Sequence, residues 1–142
     1  MNPLIKHNQH TEEFDTAEDC FITEWSNSPD DAVASIARAR VAPDVSTQWH
    51  QLKDTTERYV ILQGAGRVEI GDLTPQDVQP GDVVLIPPLC RQRISNIGAD
   101  DLVFLAICTP RFELKNYEAL VAPAGKAATR HLQDLRATLT SR

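Results

Sequence analysis

The chain has 142 residues, 42% of them apolar, and a formal net charge of −6 from 14 basic and 20 acidic side chains. That length suits one domain with its own core, and the acidic balance argues against nucleic acid as a partner, because phosphate binding needs a basic surface. No apolar run approaches the roughly 20 residues that span a bilayer and no basic-then-apolar leader opens the chain. The expectation is a cytoplasmic protein with no membrane contact. Cys20, Cys90 and Cys108 form no Cys-x-x-Cys pair and fit reduced thiols rather than a disulfide framework.

Residues 1–20 show no usable period and are rich in acidic side chains (Glu12, Glu13, Asp15, Glu18, Asp19), so they read as an arm. His7 and His10 within it read as solvated. Residues 20–25 read as a strand and 27–31 as a turn. Residues 32–41 alternate, with Ala37, Ala39 and Val41 opposite Ile36, Arg38 and Arg40. A helix competes there on propensity, but the β-rich context favours a strand with both arginines outside. Residues 45–52 read as a strand, and 57–63, rich in β-branched and aromatic side chains, as another. Gly64-Ala65-Gly66 reads as a hairpin connection to a return strand at 67–70. A polar turn follows at 71–79, then an apolar strand at 83–86, and further strands at 92–95 and 102–108. About eight short strands separated by regular turns predict an all-β sandwich or barrel over 21–112. Beyond it lies a C-terminal extension, 113–142. One or two helical turns are expected at 116–121, and Leu132, Leu135 and Leu139 are spaced for an amphipathic helix.

Alternation also groups the polar residues. Gln48 and His50 share a face, Glu57 shares one with Tyr59, and Gln92 shares one with Ile94. Turned inward together, Gln48, His50, Glu57 and Gln92 offer one nitrogen and up to three oxygens to a divalent metal. The competing arrangement is a metal-free interior in which the two amides hydrogen-bond the imidazole and the carboxylate. Tyr59 is either a proton donor in the pocket or a core tyrosine with its hydroxyl at the rim. Cys90, two residues before Gln92, is either an extra ligand or a small buried hydrophobe. Trp25 and Trp49 read as core or interface aromatics.

Two spacings stand out. Glu57 is followed after six residues by Gly64 and preceded by Gln48-Trp49-His50; Gly81, Pro87, Gln92 and Asn96 recur at a second set of intervals. Over residues 33–110 these resemble the two motifs of a single-domain cupin. The resemblance implies a small antiparallel double-stranded β-helix (a jelly-roll barrel), often dimeric, with a site in the barrel mouth and a metal held by three His and one Glu. Here Gln48 and Gln92 stand in two of the His slots, and Leu89 replaces the glycine of the second motif. Amide oxygens are weaker and harder ligands than imidazole, which lowers affinity for soft ions or abolishes binding.

The cofactor expected on this basis is a divalent ion (Mn, Fe, Ni or Zn) held by Gln48, His50, Glu57 and Gln92. The function expected is an enzyme acting on a small organic or sugar-like molecule, with Glu57 and Tyr59 moving protons. A single imidazole favours metal-assisted proton transfer, isomerisation or elimination over oxygenation. From a different class come a non-catalytic small-molecule binding module with a degenerate site, and an accessory protein with a relict one. A homodimer is the expected assembly.

Overall fold

The computed structural model describes residues 1–16 and 18–120. In chain order its strands are β1 (Phe14–Thr16), β2 (Cys20–Ser26), β3 (Ser35–Val41), β4 (His50–Leu52), β5 (Thr56–Gln63), β6 (Gly66–Ile70), β7 (Gln76–Val78), β8 (Val83–Ile86), β9 (Gln92–Asn96), β10 (Leu102–Thr109) and β11 (Tyr117–Ala119). They form two antiparallel sheets, ordered β1-β2-β3-β10-β5-β8 and β11-β4-β9-β6-β7. The result is the all-β double-stranded β-helix expected from the motif spacing. Among the described residues no helix is long and apolar enough to cross a membrane.

Alternation decides what faces inward. In β5, Glu57, Tyr59 and Ile61 are buried while Arg58, Val60 and Leu62 face out; in β9 the buried set is Gln92, Ile94 and Asn96. The interior is graded along the strands. Val41 lies opposite Leu102 at one end of the β3–β10 ladder, and Ser35 opposite Cys108 at the other. Cys108 in turn faces Glu57 on β5. Val41, Ile61, Ile94, Leu102 and Phe104 fill the apolar end. Asn96 closes that end: its amide donates to the carbonyls of Val41 (2.9 Å) and Asp100 (2.8 Å), and its oxygen accepts from Gly98 (2.9 Å). The polar end is left to Ser35, His50, Glu57, Gln92 and Cys108.

The segment 64–66 is not a hairpin. β5 and β6 belong to different sheets, so the chain crosses between layers there. Gly64 makes the crossing at φ +86, and a Cβ on it would stand 2.7 Å from the Asp101 carbonyl oxygen. The hairpin proper joins β6 to β7, a short exposed edge strand hidden from the sequence by its polar Gln76 and Asp77. The strand expected over 45–52 is regular only at His50–Leu52; before it the chain is tied by a Ser46–Ser95 bridge and by Thr47 N–H to the Ile94 carbonyl (2.9 Å).

Both ends of the described chain join the sheets. β1 pairs with β2, and Glu13, just before it, accepts from Arg40 (2.7 and 3.0 Å) and Arg38 (3.3 Å) on the outer face of β3. Both arginines therefore lie outside, as alternation predicts. At the other end a 3₁₀ turn (Leu114–Asn116) leads into β11, which pairs with β4, where helical turns were expected. The amphipathic helix expected around Leu132, Leu135 and Leu139 lies outside the described residues.

Candidate functional site

His50 is the centre of the polar end and only 4% exposed. Strand pairing sets it opposite Gln92, and its ring stacks on Tyr117 of β11 at 5.1 Å between centroids and 17° between planes. Its Nδ1 has two acceptors beside it, the Gln48 carbonyl (3.0 Å) and Glu18 Oε1 (3.4 Å). Two acceptors on one nitrogen place the proton there, so in the neutral ring Nε2 keeps its lone pair. That second nitrogen stands 4.0 Å from Glu57 Oε1, beyond direct hydrogen-bonding range.

Glu57 is held from behind. Its other oxygen accepts a long contact from Cys108 Sγ (3.7 Å). Burial raises the Glu57 pKa above the ordinary carboxylate range; His50 pulls it back down, and the Glu18 charge pushes it further up. The same burial lifts the Cys108 thiol far above its usual value, with the Glu57 charge adding to the effect. Cys108 is therefore a packed thiol rather than a ready nucleophile.

Gln92 has 0% exposure. The Tyr59 hydroxyl donates to its Oε1, and this bond fixes the amide with Nε2 pointing elsewhere. Burial pushes the Tyr59 hydroxyl well above its usual pKa, so it stays a donor, and its ring packs on Phe104 at 4.6 Å. Neither Gln92 Nε2 nor Glu57 Oε1 completes a well-formed hydrogen bond, although both are buried. One is a donor and the other an acceptor, and Gln92 lies near enough to Glu57 to pull the carboxyl's pKa down.

His50, Glu57, Tyr59 and Gln92 are thus brought together. The Gln48 side chain lies apart from them, its amide donating to Asp19 (2.6 Å) at the exposed rim. Gln48 precedes the regular part of β4, so period-two alternation does not carry through it. Cys90 packs against Gly71 and reaches the Arg91 carbonyl (3.9 Å). Trp49 lies beneath the Arg91 and Arg93 guanidiniums (5.0 and 4.7 Å).

These positions make a poor shell for a metal ion. The Gln92 carbonyl oxygen is taken by Tyr59, its free edge is an N–H donor that repels a cation, and Gln48 is engaged by Asp19. Among the described residues no group of three or more His, Cys, Asp and Glu converges to hold an ion. The residues present do not fit the expected shell.

A cavity of about 90 Å³ opens against His50. Glu18, Glu24, Cys108 and Tyr117 supply much of its polar wall, with Ile22, Leu52 and Phe112 among the apolar part. Glu18 and Tyr117 were not singled out from the sequence, since they lie in the two segments taken for an arm and an extension. No periodic signal marks either. Cys108 was within reach, because alternation along β10 puts it on the face of Phe104. Burial, with the Glu18 charge beside it, pushes the Tyr117 hydroxyl far above its normal pKa.

Comparison with known proteins agrees with the fold. Residues 37–108 match the family model described as a cupin domain. Over 63 residues the chain is 38% identical to the glucose-6-phosphate isomerase of Pyrococcus furiosus; the aligned part is 42% of this chain and 33% of that protein, so the chain spans about a third of the curated relatives it matches. Among solved structures, the nucleoside dehydratase Pac13 superposes with a TM-score of 0.70 at 14% identity, covering 84% of this chain and 92% of that one. KdgF from Halomonas gives 0.69 at 15% identity, covering 79% and 97%. The oxalate decarboxylase of Lactobacillus farciminis gives 0.70 at 21% identity, covering 80% of this chain and 35% of that one. A family match over just over half the sequence, on a barrel of the same build, makes this chain a member of the cupin family.

Proposed function

We propose that this cupin is an acid–base enzyme that isomerises, or eliminates water from, a small hydroxylated molecule, with His50 as the group that moves the proton. The observation that carries this reading is the held imidazole. Its Nδ1 is fixed as the protonated nitrogen by the Gln48 carbonyl and Glu18, its plane is fixed by Tyr117, and the ring forms part of the cavity wall. A base in one tautomer and one orientation is what proton abstraction from carbon requires. Glu57, whose Oε1 stands 4.0 Å from Nε2, stabilises the imidazolium formed when Nε2 takes a proton, and Glu18 does so from the Nδ1 side. Tyr59 acts through Gln92, positioning its amide.

The names of the relatives support the class of chemistry. One protein with this fold is a nucleoside dehydratase, solved in other forms with uridine, and a matched sequence relative is a sugar-phosphate isomerase. The test is solvent exchange. The protein is incubated in D₂O with a panel of nucleosides, aldoses, ketoses and hydroxy acids, and the products are read by mass spectrometry for deuterium gain or water loss. His50→Gln should reduce the rate by about 10²–10⁴-fold, the usual scale of a general acid–base group. Equal rates for wild type, His50→Gln and buffer would end the proposal. Stoichiometric metal in the purified protein that disappears in His50→Ala would replace it with a metal-assisted version.

For the expected homodimer we propose the outer face of β5 and β8 as the interface. Leu62, Val83 and Leu85 are exposed on neighbouring strands there, and β8 is an open sheet edge. A second copy of the chain covering this face would bury all three.

A further inference from the structure

Of the four motif positions, His50 and Glu57 keep a donor atom for an ion: Nε2 and Oε1, 4.0 Å apart. Two ligands are too few. A catalytic zinc takes three from its protein, and Mn²⁺ favours an octahedral shell of oxygens. Whether these positions can hold an ion therefore turns on Gln92, which occupies a histidine slot and is wholly buried. A glutamine ligates through its oxygen; its amide nitrogen is a donor with nothing to offer a cation.

Two neighbours decide which end of that amide faces Glu57. On one side the Tyr59 hydroxyl donates to Oε1. On the other, Gln92 lowers the pKa of the Glu57 carboxyl, which is the effect of an N–H and not of another oxygen. Turning the amide over would set its oxygen against the Glu57 carboxylate. It would also leave the Tyr59 proton without an acceptor, on a side chain only 3% exposed. Orphaning a donor at that depth weakens the binding that requires it by about 5–150-fold. Gln48 offers no replacement. Its side chain donates to Asp19 (2.6 Å), and its backbone carbonyl is turned to His50 Nδ1 (3.0 Å).

We infer that these four positions reject divalent ions, and that Tyr59 enforces the rejection by holding Gln92 with its N–H rather than its oxygen toward Glu57. Tyr59 is thus a positioning residue that acts through the amide. The inference goes beyond the acid–base reading and does not depend on it. It separates this chain from what the motif resemblance implies, a metal held by three His and one Glu.

The test is metal binding by the full-length protein. Mn, Fe, Ni and Zn are measured in the protein as purified, and Zn²⁺ is then titrated while the nitrogen NMR resonance of His50 Nε2 is followed. An ion on that nitrogen moves the resonance, and an ion held elsewhere on the chain does not. Wild type should carry no stoichiometric metal that depends on His50, and its Nε2 resonance should stay in place through micromolar Zn²⁺. Tyr59→Phe keeps the ring against Phe104 and removes the hydroxyl alone, so it should melt as cooperatively as wild type. It should move the resonance at Zn²⁺ concentrations about 5–150-fold lower than wild type needs. Gln92→Glu, which puts an oxygen at both ends of the side chain and leaves Tyr59 alone, should shift the titration the same way. Stoichiometric metal in wild type that is lost in His50→Ala would overturn the inference, as would a wild-type Nε2 shift at micromolar Zn²⁺. A Tyr59→Phe protein no more receptive than wild type would do the same, and so would a Gln92→Glu protein no more receptive. The acid–base reading is scored apart from this, by deuterium exchange. A protein free of metal that exchanges nothing sinks that reading alone; exchange that continues in a chelator, while micromolar Zn²⁺ still moves His50, sinks this one alone.

Discussion

Leu89 occupies the glycine slot of the second motif and still adopts the glycine conformation, with φ at +61. For a residue with a Cβ, that left-handed backbone costs about 1–2 kcal/mol. The position is held by its surroundings: Leu89 N–H donates to the Leu52 carbonyl at 2.7 Å, and Cys90 N–H to Pro87 at 3.3 Å. The side chain is 58% exposed, so little burial is lost with it. Leu89→Gly removes the conformational cost but gives the unfolded chain more freedom, worth about 0.4–1 kcal/mol in the other direction. The net expectation is a gain of about 0.5–1 kcal/mol, or a rise in Tm of about 2–4 °C for a chain of this size. Urea unfolding with Leu89→Ala alongside isolates the cause, since alanine removes the same side chain but keeps the Cβ and should lie within about 0.5 kcal/mol of wild type. If the glycine variant is no more stable than the alanine variant, the backbone at this loop carries no such strain.

Gly64→Ala should go the opposite way. It adds a positive-φ penalty and a 2.7 Å clash with a backbone oxygen, so a loss of about 2–4 kcal/mol is expected in the same urea assay. Glu57 makes stability fall as pH rises: its folded-state pKa is raised, so from the unfolded value near 4.5 up to the folded one the native state binds more protons than the unfolded chain. Glu57→Gln should flatten that slope, and parallel wild-type and variant curves of stability against pH would contradict the burial argument. Leu85→Asp, on the outer face of β8, should leave only a 15.8 kDa species in sedimentation where a dimer is expected of the wild type. A wild-type monomer removes the proposed interface.

What could be read before the fold was known follows from where period two holds. β5 and β9 alternate cleanly, so His50's neighbours Glu57, Tyr59 and Gln92 were legible, and so, on β3, was the outward face of Arg38 and Arg40. The reading loses hold where the strand does. Gln48 shares its parity with His50, but the chain before β4 follows isolated bridges, and the side chain goes to Asp19 instead. The crossing at Gly64 looked like a hairpin because glycine marks both a tight turn and a close backbone approach. Which of the two applies depends on Asp101, 37 positions further along and invisible to any local pattern. Glu18 and Tyr117 were missed for a related reason. Each reaches His50 from a segment whose own composition says only that it is polar and short of core.

That last pair changes how the molecule's outline should be drawn. Glu18 anchors one nitrogen of the ring and its carbonyl takes the Gln48 N–H (3.2 Å), so the stretch that looks like a dispensable arm is one wall of the cavity beside His50. A version of the protein trimmed to start at β2 would keep every large apolar side chain of its interior. It would also hand water an open door to the imidazole, and lose the carboxylate beside Nδ1 while its melting curve stayed sharp.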